Sequence, residues 1–358
     1  MKNFVTPRKS PFMNTKNYKN QTKSIWKTNF IDNIFEQKQT IPFFKNITSI
    51  KSYSFVKLFI RLCFVIILLQ PISGCKQKTG VKQPKYGTSP SVQAAPVYSF
   101  AIHALHNPAK LIQVYRPLIL YINNRLKGAQ LSVEASRDYA NFEEKYKNRD
   151  PEFILPNPWQ TIQAMKCGYN VIAQAGDPKD FRGIFLVRKD GGIGKVSDLK
   201  GKAISYPSPT ALAACIMPQY FLYAHGIDVN KDIENRYVGS QESSIMNVYL
   251  KTTAAGATWP PPWKIFQKEH PKEADQLMVI WETESMINNS VMVRNDVPEN
   301  IKNQVKKCLL ELHQTAEGRA ILSNMQTACF TKATNNDYNT VRPYINRFEK
   351  EVRKIDIK

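Results

Sequence analysis

The chain has 358 residues, 42% of them hydrophobic, and a formal charge of +21. That charge is spread out: residues 1–75 hold 12 Lys/Arg against 2 Asp/Glu, and the remainder 38 against 27. No basic run is interleaved with aromatics as nucleic-acid modules require, so no nucleic-acid partner is expected, while a basic surface suits anionic membranes or anionic ligands.

Residues 1–55 are rich in Lys, Asn, Thr and Phe and show no helical or strand period. They read either as a spurious extension from a mis-assigned start or as a disordered basic arm. Residues 56–74 read as a signal peptide. Lys57 and Arg61 lead into the apolar run Leu62 to Leu69, and Ile72-Ser73-Gly74 precede Cys75. A basic start, a short apolar stretch and small residues before a cut make a secretory signal. A spanning helix needs about 20 apolar residues, far more than this run supplies. Ile72-Ser73-Gly74-Cys75 resembles a bacterial lipobox, which implies cleavage before Cys75 and lipid on its thiol. The alternative is a plain signal with a chance cysteine. The body then works outside the cytoplasm, on the periplasmic face, tethered to a membrane. Lys76 is not the aspartate that retains lipoproteins at the inner membrane, which favours the outer membrane in a cell that has one. Residues 75–96 comprise the lipidated cysteine and a polar tether reaching an r.m.s. distance of roughly 25 Å.

Val97 to Ile102 is an apolar strand. Asn107-Pro108 caps and opens a helix, with Leu111, Tyr115, Leu118, Ile122 and Leu126 along one face. Gly128 closes it, and Leu131 to Ala135 returns as a strand. This β-α-β opening predicts an α/β sheet with crossover helices. Further strands are expected at 152–155, 170–175, 183–188, 202–206, 234–238, 253–258, 279–281 and 290–293. Helices are expected at 159–167, 210–225, 241–251, 299–315, 317–325 and 337–354. Trp259-Pro260-Pro261-Pro262-Trp263 reads as a stiff loop.

Of six cysteines, Cys63 leaves with the signal and Cys75 carries lipid. Cys167, Cys215, Cys308 and Cys329 remain, in a compartment that permits pairing. A helix, a turn and a return favour a Cys308–Cys329 bridge, which sequence alone does not establish. No spacing suits zinc. His103 and His106 lack a third metal ligand, and one of them is a candidate ligand contact. Gly191-Gly192-Ile193-Gly194 lacks the Lys-Ser/Thr of a phosphate loop and reads as a turn. No cofactor and no catalytic residue are expected.

Several stretches carry a family resemblance: Pro108-Ala109-Lys110-Leu111, Tyr115-Arg116-Pro117-Leu118, Phe185 to Asp190, Ser197-Asp198-Leu199-Lys200-Gly201-Lys202, Gly239-Ser240 and Asp337-Tyr338. The chain resembles the periplasmic phosphonate/phosphite substrate-binding proteins of ABC importers over about 97–350. The resemblance implies a two-lobed α/β clamshell with two crossover strands, near Gly183–Arg188 and Ser290–Arg294. Lobe one would be 97–184 plus 294–358, and lobe two 185–290. It also implies a monomer that traps a small molecule and docks on an ABC permease.

In that family the strand after Asp-Leu-Lys-Gly-Lys leads to a Ser-Thr-Ser turn at a helix start, where N–H groups and hydroxyls hold an oxyanion. Here the stretch is Ser208-Pro209-Thr210-Ala211-Leu212-Ala213-Ala214, so Ala211, Leu212 and Ala213 stand in place of the three hydroxyls. Gln241 replaces a histidine after Gly-Ser, and Trp259 aligns with an acidic position. Trp159 and Gln160 lie near the aromatic position of lobe one, and Tyr139 matches the cleft tyrosine. The expected ligand residues are therefore Tyr139, Trp159, Gln160, Ser208, Thr210, Ala211, Leu212, Ala213, Gln241, Trp259 and His103. Each tryptophan has packing as its alternative role, above all Trp263 and Trp281. Aromatic walls suit a flat or quaternary-ammonium solute. The leading expectation is a lipid-anchored binding protein for a small solute. The alternatives are the same fold serving a membrane sensor, and an envelope thiol enzyme.

Overall fold

The structure, a computed structural model, describes residues 95–355. The signal peptide, Cys75 and all but the end of the tether lie outside the described residues. Eleven strands run in chain order: β1 (Val97–Ile102), β2 (Gln130–Ala135), β3 (Phe153–Leu155), β4 (Tyr169–Ala175), β5 (Ile184–Arg188), β6 (Ala203–Tyr206), β7 (Glu234–Tyr237), β8 (Ala255–Thr258), β9 (Leu277–Glu282), β10 (Ser290–Arg294) and β11 (Phe330–Thr331). The α-helices are α1 (Pro108–Asn123), α2 (Tyr139–Asn148), α3 (Pro158–Lys166), α4 (Met217–Ala224), α5 (Gln241–Tyr249), α6 (Pro260–Glu269), α7 (Pro271–Ala274), α8 (Glu299–Glu311), α9 (Ala316–Asn324), α10 (Asn335–Tyr338) and α11 (Val341–Glu351).

The strands form two sheets and hence two lobes. The first sheet has the order β11-β4-β10-β3-β1-β2 and the second β7-β6-β8-β5-β9. In the first, β1 pairs parallel with β2 and β3, while β10 enters antiparallel between β3 and β4. In the second, β6 is parallel to β7 and β8, and β5 is antiparallel to β8 and β9. β5 lies wholly in the second sheet and β10 wholly in the first. The chain therefore changes lobe in the segments 176–183 and 283–289, just outside the strands that the resemblance singled out as crossovers. The strands at the centre of each sheet are covered on both faces, so they read as continuous apolar runs such as Ile184 to Val187, all buried. In lobe one Phe100 of β1 and Phe153 of β3 stack at 6.1 Å.

The C-terminal segment adds a further tie. Arg353 donates from Nε to Gln219 Oε1 at 2.7 Å and from Nη2 to the carbonyl of Pro209 at 3.0 Å. Asn230 Nδ2 donates to the Val352 carbonyl at 2.8 Å. A segment that follows a lobe-one strand is thus held against lobe two.

Three local expectations change. The helix expected over 210–225 begins instead with a π-helical turn, Leu212–Ile216, before α4. Ile216 N–H donates to the Ala211 carbonyl, five residues back. Pro218 has no N–H to close the α-type bond to Ala214, which favours the wider turn. Trp259 to Trp263 is not a loop: the three prolines form the first turn of α6, with Trp259 as its N-cap residue. First-turn N–H groups have no intrahelical partner in any case, so proline loses little there. The Cys308–Cys329 bridge is absent, since Cys167, Cys215, Cys308 and Cys329 are all free thiols. Denatured without reductant, residues 76–358 should titrate four thiols. Two missing thiols would restore the bridge.

Candidate ligand cleft

The site grows from two helix starts that meet between the lobes. In lobe one, Asp138 caps α2 by accepting from Asn141 N–H at 2.8 Å, which fixes Tyr139 as the first helical residue. In lobe two, Ser240 caps α5 by accepting from Ser243 N–H at 3.1 Å, which fixes Gln241. The two side chains meet: Gln241 Nε2 donates to Tyr139 OH at 3.0 Å. Thr258 Oγ1, at the end of β8, donates to Gln241 Oε1 at 2.8 Å.

One helical turn beyond Tyr139 stands Glu143, only 1% exposed. Its Oε1 accepts from Thr210 Oγ1 at 2.6 Å, across the lobes, and from Gln160 Nε2 at 3.1 Å. Burial is the largest influence on this carboxyl and raises its pKa, opposed by the bonds from Thr210 and Gln160. Gln160 is itself held in the capping box of α3: its N–H donates to Asn157 Oδ1 at 3.0 Å and its Oε1 accepts from Asn157 N–H at 3.1 Å. Asn157 Nδ2 reaches over to the Thr210 carbonyl at 3.2 Å. Ser208 Oγ accepts from Thr210 N–H at 3.2 Å. The interlobe seam therefore carries two polar sets, Glu143 with Thr210 and Gln160, and Tyr139 with Gln241 and Thr258, while Lys110 of α1 pairs with Glu269 of α6.

Beside this seam lies a small cavity of about 20 Å³, lined by His106, Leu155, Gly176, Asp180, Trp259 and Asn289, among others. That is space for about one water. It abuts both crossover segments. Trp259 packs on Phe181 at 5.5 Å. Asn289 is 3% exposed, and its Oδ1 is buried without a hydrogen-bond partner. An unpaired buried acceptor carries a desolvation penalty of roughly 1–3 kcal/mol, so this atom is suited to a donor brought by a bound molecule.

His103 donates from Nδ1 to the Leu155 carbonyl at 2.7 Å and meets the Tyr139 ring edge-on at 5.8 Å. Burial lowers its pKa to about 4, so it is neutral at pH 7. His106 is likewise lowered to about 4, chiefly by burial and then by Lys110.

Of the residues expected from the sequence, Tyr139, Gln160, Thr210 and Gln241 join in the interlobe network, Ser208 supports Thr210, and Trp259 lines the cavity. Trp159, Ala211, Leu212 and Ala213 are buried within the hydrophobic core. Trp263 stacks on Phe266 at 5.9 Å, and Trp281 packs edge-on against Phe185 at 5.8 Å, so both pack lobe two. Sequence reasoning missed Glu143, Asn157 and Asn289, and named His106 only with His103 as one possible contact. Glu143 left a readable trace: Tyr139, Phe142 and Tyr146 mark one helical face, and a glutamate falls inside it.

Residues 100–338 match the family described as ABC transporter, phosphonate, periplasmic substrate-binding protein. The chain belongs to that family. This binding protein is 24% identical over 184 residues to the probable ABC transporter phosphite-binding protein PhnD1 of Prochlorococcus marinus (strain MIT 9301). That match covers 48% of this chain and 62% of the relative, so it spans less than two thirds of its length. The solved structure of Prochlorococcus PhnD1 with methylphosphonate superposes with a TM-score of 0.65 at 20% identity, covering 72% of this chain and 99% of that one. A phosphonate-transporter binding component from Pseudomonas aeruginosa gives a TM-score of 0.66 at 17% identity, covering 71% and 88%. The two-lobed α/β fold expected from the sequence is the fold of these proteins. The family consists of extracytoplasmic binding proteins rather than enzymes, which removes the thiol-enzyme alternative. Cys215 is fully buried, and burial pushes its pKa up to about 12. Among the described residues no cluster of His, Cys, Asp or Glu suits a metal, and no helix is long and apolar enough to cross a membrane.

Proposed function

We propose that the chain is a lipid-anchored binding protein that captures a small solute between its lobes and presents it to an ABC permease. The observation that carries this reading is the pair of cross-lobe bonds, Glu143 to Thr210 and Tyr139 to Gln241. These bonds join the two lobes directly, which supports a clamshell that closes around a solute. Cys75 supplies the anchor, and the tether lets the body reach a permease. Lipid attachment at Cys75, a monomeric body and an outer-membrane destination belong to the same proposal.

Transport is tested in cells. A strain lacking the chain should lose uptake of any solute that stabilises the purified protein. Intact uptake would overturn transport and leave the clamshell as a sensor module. Replacement of Cys75 by Ser should abolish incorporation of labelled fatty acid and release the protein from membranes. Continued labelling would overturn the anchor.

A further inference from the structure

We infer that Arg353 is a positioning residue of the interlobe cleft. From the C-terminal segment it fixes the Pro209–Thr210 peptide of lobe two, and thereby the approach of Thr210 to Glu143 in lobe one. The inference rests on the binding-protein reading and adds a residue that sets the geometry of the cleft from outside it.

The guanidinium spans one segment of lobe two. Arg353 Nη2 donates to the Pro209 carbonyl at 3.0 Å and lies 3.6 Å from Cys215 Sγ, while Nε donates to Gln219 Oε1 at 2.7 Å. These contacts fall before, within and after the π-helical turn Leu212–Ile216. Such turns are rare and concentrate at functional sites. Gln219 is fully buried and passes the tie on, donating from Nε2 to Asn235 Oδ1 of β7 at 2.9 Å. On its own side the guanidinium lies over the Phe348 ring at 5.3 Å and donates from Nη1 to the Lys354 carbonyl at 2.9 Å. Its hydrogen-bond partners are carbonyls, an amide oxygen and a sulfur, so the planar fork matters more here than the charge.

The Pro209 carbonyl and the Thr210 N–H belong to one planar peptide unit. Arg353 holds the first, and Ser208 Oγ accepts from the second at 3.2 Å. The next carbonyl, that of Thr210, accepts from Asn157 Nδ2 of lobe one at 3.2 Å. Thr210 is thus fixed on both sides of its Cα, with its Oγ1 on Glu143 Oε1 at 2.6 Å. A crossover segment closes the third side. A Cβ on Gly183 would lie 2.5 Å from the Ala213 carbonyl oxygen and 2.8 Å from Pro218 Cγ. The stretch that carries Thr210 is therefore seated between lobe one, a crossover and the C-terminal segment.

The test compares the purified wild-type chain with Arg353→Gln, Thr210→Val and the double variant. Arg353→Gln should speed amide hydrogen exchange at Ala211, Ile216 and Met217 about tenfold and leave β5 unchanged. It should lower the melting temperature by several degrees, and by less than half as much when Thr210 is already valine, because both changes act on one contact. Methylphosphonate should bind Arg353→Gln about tenfold more weakly than the wild type. An arginine with a purely structural role would cost the same in both backgrounds and leave the affinity of the folded protein untouched. Additive melting shifts, unaltered exchange at these amides or equal affinity for methylphosphonate would each overturn the inference. Should Arg353→Gln not fold, Arg353→Lys, which keeps the charge without the fork, carries the same comparisons. A wild type that ignores methylphosphonate fails the choice of solute rather than Arg353, and the exchange and the melting cycle then decide. Unaltered uptake in a strain lacking the chain fails only the transport reading.

Discussion

Acidification from pH 6.5 towards pH 4 is expected to strip several kcal/mol of stability from the folded body through His103 and His106. Both pKa values fall from 6.5 to about 4 on folding, with burial the first cause in each. Between these values the unfolded chain binds protons that the folded chain refuses. Stability therefore rises with pH across the window and is lost as pH falls through it. Each histidine accounts for up to about 3 kcal/mol once both states are protonated. The groups facing them are few: His103 feels His106, and His106 feels Lys110 and Glu269. Glu143 acts with the opposite sign. Its raised pKa gives a contribution that is present in acid and lost as pH rises through the folded value, so it offsets part of the loss. At roughly 2–4 °C per kcal/mol for a body of this size, the melting temperature should drop by about 5–10 °C between pH 6.5 and pH 5. The double variant His103→Asn, His106→Gln should flatten that segment of the curve. A wild-type melting temperature constant from pH 6.5 to pH 5 would sink the assignment of neutral buried histidines.

Gly256→Val is expected to cost about 3 kcal/mol, the upper end of the range for overpacking. A Cβ at Gly256 would lie 2.6 Å from the Ser244 carbonyl oxygen, 2.6 Å from Val248 Cγ2 and 2.8 Å from Ser205 Oγ. Two of these neighbours belong to α5 and the third to β6, so no flexible side-chain end can give way. Ser244 is pinned further: its Oγ donates to the carbonyls of Ser205 at 3.0 Å and Ala257 at 2.8 Å. The helix must lift from the second sheet, and Gln241 at its start moves with it, away from Tyr139 and Thr258. The melting temperature should fall by roughly 6–12 °C, and solute affinity should fall by more than stability alone explains. A Gly256→Val protein that melts and binds like the wild type would show that α5 does not position the cleft through this contact.

Much of the architecture could be read before any coordinate. The Leu111-to-Leu126 periodicity marks α1 because residues three and four apart share a helix face whatever surrounds them. Asn107 and Asp138 cap helices through bonds made within three residues, and the apolar strands state their burial in their composition. The division into lobes was an expectation of the family resemblance rather than of any local pattern.

The contents of the cleft were not legible in the same way. The alanines and leucine in the Thr210 turn are a local fact of sequence, and the expectation of fewer hydroxyl donors there rested on them. The cross-lobe partners are distant in sequence: Glu143 lies 67 positions from Thr210 and Tyr139 lies 102 from Gln241, and only the meeting of two lobes brings them together. The proline run misled for a related reason. Proline limits φ and removes donors, but whether it stiffens a loop or opens a helix depends on the residues after it and on the packing of Trp263 and Phe266. Local chemistry thus determined the elements, their caps and the loss of the hydroxyls. Tertiary structure alone decided that Glu143 is buried and bonded across the lobes, and that His106 and an unpaired Asn289 amide oxygen line the cavity, because burial and proximity are properties of the fold and not of any segment.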